Sequence, residues 1–178
     1  ESVDIARELE SIESSHRTIV WIRAAVTQSV FAIWGLDELY MHSQAYMGAS
    51  THSCWSFNAP SFQEILDAAD RASAAGQRDP LILRSIVFPF PLSATRIGDT
   101  VLWFQSDKEG ELLVNREQEM LCFNSHTASE CGVSKGTADD VASLCRLVGI
   151  ESYEIVSKDA SERFVREADE RFNWTQRL

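Results

Sequence analysis

Leu81-Ile82-Leu83-Arg84-Ser85-Ile86-Val87-Phe88 opens the stretch on which the fold turns, residues 81–124. Its side chains favour strands, and Pro80 disfavours a helical residue at Asp79. Pro89 and Pro91 stop it, because neither can donate a ladder hydrogen bond. The segment reads as a first strand that ends there or lies at a sheet edge. Gly98-Asp99 signals a turn. Residues 100–105 follow as a second strand, apolar on both parities, which implies cover on both faces. Asp107-Lys108-Glu109-Gly110 fits a hairpin loop. Residues 111–114 are a third strand, and 120–123 a fourth after a turn at 115–118. Short loops between short strands imply an antiparallel meander.

Outside this stretch the chain reads mainly as helix. Ile5, Leu9 and Ile12 fall at helical spacing with acidic residues off the stripe. Residues 18–47 form a long apolar run without proline, read mostly as helix and interrupted near Gly35. The β-branched start at 18–22 leaves a strand there as the alternative. Residues 48–60 are a loop. Ser61 with Glu64 makes a capping box, opening a helix that Gly76 stops. Residues 125–136 read as a polar loop. Thr137 with Asp140 begins a helix whose buried face is Val141, Leu144, Cys145 and Val148. Residues 152–156 are a fifth strand, and Asp159 with Glu162 caps a last helix bearing Phe164, Val165, Ala168 and Phe172. The expected fold is a single α+β domain over 1–178. A small, mostly antiparallel sheet, at about residues 81–156, is packed by N-terminal and C-terminal helices.

The net charge of −11 argues against nucleic acid as a partner, since phosphate binding needs a basic surface. It suits another protein with a basic surface. The uncharged apolar run at residues 24–36 is shorter than the roughly 20 apolar residues a membrane span needs, so no membrane is expected. The chain opens on a charged segment with no signal-peptide pattern, and the cytoplasm is the expected location. The cysteines at 54, 122, 131 and 145 form no Cys-x-x-Cys pair, so zinc is not signalled. Cys122 and Cys145 fall in apolar patterns and read as core. His42 and His52 have no carboxylate at ligand spacing, and no metal is expected. Gly132-Val133-Ser134-Lys135-Gly136-Thr137 lacks the phosphate-loop order, because its lysine precedes the second glycine. No cofactor is expected.

His52-Ser53-Cys54-Trp55-Ser56-Phe57 is the stretch with the most chemistry. A cysteine in a polar loop before a helix acts as a nucleophile when a base or a positive dipole lowers its pKa. Cys54-Trp55-Ser56-Phe57 resembles the run around the nucleophile of papain-like cysteine proteases. Arg96-Ile97-Gly98-Asp99-Thr100-Val101-Leu102-Trp103-Phe104 is similar to the Gly-Asp strand of the bacterial cell-wall peptidases of that class. The resemblance implies a hydrolase or transferase with Cys54 as nucleophile. It departs from the pattern in three places: Asn58-Ala59-Pro60 separates the cysteine from its helix, Gly48 stands where an oxyanion-hole glutamine belongs, and the 111–114 strand has no histidine. His126 is left as the base.

The residues therefore support first a non-catalytic acidic binding protein, such as an inhibitor, an immunity-type protein or a regulatory partner. Its contact surface is expected at His52, Trp55 and Phe57, because exposed tryptophans are enriched at interface hot spots. The alternative is the Cys54–His126 hydrolase or transferase. A homo-oligomer is a third class, resting on the apolar 21–47 segment.

Overall fold

The computed structural model describes residues 9, 11–12, 16–26, 28–49, 62–98 and 100–154. The elements are β1 (Ile19–Val26), α1 (Gln28–Trp34), β2 (Glu38–Gly48), α2 (Phe62–Ala75), α3 (Pro80–Val87), β3 (Leu92–Ile97), β4 (Thr100–Phe104), β5 (Leu112–Asn115), β6 (Cys122–Asn124), α4 (Ser125–Glu130) and α5 (Val141–Val148). They form an α+β arrangement with two three-stranded sheets, ordered β1-β2-β6 and β4-β3-β5. Compact units are Glu1–Leu144 and Cys145–Leu178. Of the second, the described part ends its helix at Val148, where Ile150 N–H returns to the Cys145 carbonyl (2.8 Å). No strand follows at 152–154. The rest of the expected fifth strand and the last helix lie outside the described residues. So does most of the first expected helix, of which Leu9, Ser11 and Ile12 are helical.

The first correction concerns residues 18–47. They are a strand, a helix and a strand, with β1 and β2 parallel and in register from Ile19↔Glu38 to Ile22↔Met41. Parallel neighbours need a crossover, and α1 supplies it. β2 is central, and Leu39, Tyr40 and Met41 are all buried. A strand covered on both faces is apolar on both parities, which periodicity does not separate from buried helix. Trp34 closes α1 inside the core, fully buried, with its Nε1 donating to Ser73 Oγ (3.1 Å). The core gathers around β2, with Val30, Trp34, Leu83, Ile86 and Phe123 among its members.

The second correction is that residues 81–87 are not a strand. They belong to α3, with Asp79 as N-cap in extended geometry and Pro80 in the first turn. The Asp79 carboxylate accepts from Leu81 N–H (2.9 Å). Proline holds the preceding residue extended, which is also the conformation an N-cap requires, and proline is favoured at the first helical position. Ile82, Leu83, Ile86 and Val87 then share one buried stripe. The expected helix after Ser61 is present as α2, although Ser61 itself lies outside the described residues.

The third correction is one of strand order. β3, not expected from the sequence, is the centre of the second sheet and pairs antiparallel with both β4 and β5. It turns toward β4 at Gly98, whose φ of 61° lies in the left-handed region that suits glycine. Asp99, the other half of the expected turn signal, lies outside the described residues. β5 does not return beside β4, so the sheet is not a meander. Residues 105–111 instead cross over β3, held by Gly110 N–H to Ser93 Oγ (2.9 Å) and Glu111 N–H to Thr95 Oγ1 (3.1 Å). A Cβ on Gly110 would lie 2.5 Å from Ala94 N, so the crossover needs glycine where it passes the strand. β6 joins β2 in the other sheet, from Tyr46↔Asn124 to Gly48↔Cys122.

The expected loop at 125–136 begins with α4, capped by Asn124, whose side chain accepts from Thr127 N–H (2.9 Å). The capping pair before α5 is Asp140 with Ser143 rather than Thr137 with Asp140: Ser143 N–H donates to Asp140 Oδ1 (2.6 Å), and Asp140 N–H to Ser143 Oγ (3.1 Å). Thr137 instead bridges to Met41 alongside β2.

Candidate functional site

Cys54, His52, Trp55 and Phe57 lie outside the described residues. Of the sequence-derived site, His126 is described. It sits on α4 with its side chain 80% exposed, and its Nε2 is 3.5 Å from Glu130 Oε1, one helical turn on. The register of the second sheet brings other groups near it. β3, β4 and β5 turn Ala94, Arg96, Val101 and Leu112 toward α4 and Cys131, leaving an open cleft of about 590 Å³ that Glu111 and His126 also line. Arg96 Nη2 donates to the Glu130 carbonyl (2.5 Å), closing the C-terminal turn of α4 onto the sheet.

Cys131 is the thiol in this cleft, and it is not poised as a nucleophile. Burial, reinforced by the Glu130 carboxylate and opposed by Arg96, pushes its pKa up to about 11. The thiolate is the reactive form, so this sulfur stays protonated at neutral pH. Among the described residues no group of three or more His, Cys, Asp or Glu side chains could hold a metal ion.

A second polar cluster lies where β2 bulges. The pairing with β1 jumps from Ile22↔Met41 to Ala24↔Tyr46, so residues 42–45 lose their ladder partners on that side. Side chains satisfy them instead. Ser43 N–H donates to Asp139 Oδ1 (3.2 Å), Ser125 Oγ donates to the Ser43 carbonyl (2.7 Å), and Gln44 N–H donates to His42 Nδ1 (3.1 Å). Accepting at Nδ1 places the proton of a neutral His42 on Nε2, which faces Asp139 Oδ1 at 3.8 Å. The hydrogen bonds from Ser43 hold the Asp139 carboxyl below the usual range. A nucleophilic triad uses one imidazole nitrogen for the carboxylate and the other for the nucleophile. Here the second nitrogen is occupied by the main chain, so the cluster does the work of a clamp on a bulge.

The remaining feature is apolar. Register places Ile97, Leu102 and Leu113 on the same side of the second sheet as Ser93 and Thr95, opposite the cleft. They are 62%, 44% and 45% exposed. The crossover lies on that side as well, where Gly110 and Glu111 meet Ser93 and Thr95. Phe62, Phe88 and Phe90 form a separate ring cluster, with centroids 4.4 and 5.8 Å apart along the chain of contacts. Sequence reasoning missed both surfaces. The signal for the aromatic one was Phe88-Pro89-Phe90, two aromatics whose prolines prevent either from entering a helix. For the sheet face no signal exists without the strand order. No helix among the described residues is long and apolar enough to cross a membrane. No protein-family model matches the chain, and no curated protein matches it.

Proposed function

We propose that this chain is a non-catalytic binding protein, an inhibitor, immunity-type protein or regulatory partner of a protein with a basic rim and an apolar centre. The observation that supports this is the sheet face of Ile97, Leu102 and Leu113 beside the acidic crossover. Exposed apolar surface marks interaction sites. Ile97 and Leu102 are diagonal neighbours across β3 and β4, and the crossover seated on Ser93 and Thr95 parts them from Leu113. The apolar surface is interrupted by polar chain, as in the mixed anatomy of an interface. The net charge of −11 would steer a cationic partner and raise its association rate. The proposed location is the cytoplasm, where the cysteines would remain thiols.

The test is a pull-down from the native source followed by kinetics on the purified pair. Support is a stoichiometric complex with a basic protein, abolished by Ile97→Asp with Leu113→Asp, whose association rate falls steeply with salt while dissociation changes little. A complex indifferent to both the double substitution and salt overturns it. Thiol alkylation at about pH 6 supplies the competing arm, since an unperturbed thiol hardly ionises there. Rapid modification of Cys54 alone, lost on His126→Ala, would replace the binding protein with the cysteine hydrolase or transferase.

A further inference from the structure

We infer that this chain forms a symmetric dimer by antiparallel pairing of β4 with the β4 of a second copy, which joins the two β4-β3-β5 sheets into one of six strands. The inference does not depend on the binding reading above. β4 is an edge strand, bonded to β3 on one side. Its sequence is Thr100-Val101-Leu102-Trp103-Phe104. Alternate residues of an edge strand turn N–H and C=O groups outward, and among the described residues none of β4's backbone groups bonds to anything outside the sheet. Proteins blunt such edges with charge, proline, bulges or brevity. The other edges carry one of these devices. β1 contains Arg23 and a register shift, β5 has four residues and its own shift, and β6 has three residues. β4 has no charge, no proline and no shift in its ladder.

What completes such an edge is a strand, and three observations favour a second copy. First, antiparallel pairing about Leu102 is self-complementary. It sets Leu102 on its own symmetry mate, Val101 on Trp103 and Thr100 on Phe104, so each face meets a like face. Closed two-fold symmetry of this kind is the commonest form of oligomer. Second, two copies of charge −11 repel, and β4 is a neutral edge at which they can approach. The backbone edge itself offers a basic partner no ion pair, since β4 carries no charged residue. Third, the pairing carries Leu102, which is 44% exposed, from solvent into an apolar contact with its mate. Five residues per copy make a small interface, so the dimer is expected at micromolar rather than nanomolar concentration.

Sedimentation velocity on the full chain, over a wide concentration range, tests this. The wild type should move from monomer to twice that mass, and β4 amides should exchange more slowly as concentration rises. Leu102→Lys and Leu102→Asp each place like charges on the two-fold axis and should weaken the dimer about tenfold or more. The position is exposed, so both variants should keep the wild-type circular dichroism. Mixing the two variants should restore a dimer of one copy of each. A wild type that stays monomeric overturns the inference. So does a dimer that survives both substitutions, and so does a mixture that does not associate.

Discussion

Arg17 and Glu38 show how one contact fixes the start of a fold. Arg17 Nε donates to Glu38 Oε1 (2.6 Å) and Nη2 to Oε2 (2.9 Å), a two-pronged pair at the point where β1 and β2 come into register. Tyr40 Oη adds a donor to Oε2 (3.3 Å). The hydrogen bonds from Arg17 hold the Glu38 carboxyl below its ordinary 4.5, and the same contact raises the Arg17 guanidinium. A carboxyl whose pKa falls on folding stabilises the native state above its unfolded value. That contribution is lost as the pH drops through the lowered native value. Glu38→Gln should therefore reduce the thermal midpoint at neutral pH, with the gap to wild type closing as the pH falls below 4.5. Melting curves of both proteins across that range check it. A gap that stays constant with pH would mean that Glu38 acts by packing alone.

At the scale of elements, the crossover of residues 105–111 decides the second sheet. Ser93 and Thr95 supply hydroxyl acceptors on one face of β3, and Gly110 supplies the flat backbone that reaches them. Gly110→Ala puts a methyl group against the Ala94 backbone, which cannot swing aside as a side chain would. It should cost roughly 1–3 kcal/mol, the range for overpacking, whereas Glu109→Ala beside it should fall within about 0.5 kcal/mol. Urea unfolding of the two variants separates them, and equal stabilities would show that the loop can lift off β3. The same residues explain what was legible. Gly98-Asp99 announced a turn, and the α2 stripe announced a helix, because each depends on neighbours in sequence. Residues 81–87 did not declare themselves. Ile82, Ile86 and Val87 are β-branched, and the burial of their helical stripe outweighs that propensity. The sequence around Gly110 reads equally as a hairpin between β4 and β5. Only the spatial position of β3 turns it into a crossover.

At the scale of the molecule, the candidate surfaces were less legible than the elements. Arg96, His126 and Cys131 share a cleft because β3 meets α4, and Ile97, Leu102 and Leu113 share a face because β5 pairs with β3 rather than β4. Neither arrangement is encoded by spacing along the chain. Charge was legible from the start, and it carries a global consequence. Two of the ion pairs, Arg17–Glu38 and Lys135–Asp37, have at least one partner side chain about half exposed. Exposed pairs of this kind contribute about 0–1 kcal/mol each. Against them stands the mutual repulsion of a chain with net charge −11, which acts over longer distances and disfavours the compact state. Screening separates the two effects by range. Between physiological and 1 M salt the Debye length shrinks from about 8 Å to about 3 Å. The 2.6 and 3.1 Å pairs are comparable to the shorter length and well inside the longer one, while repulsion between distant carboxylates falls almost entirely outside the shorter one. Sodium chloride should therefore raise the thermal midpoint over this interval. A midpoint that falls instead would mean that the local pairs outweigh the net charge, and Arg17→Ala should then lower stability more at low salt than at high.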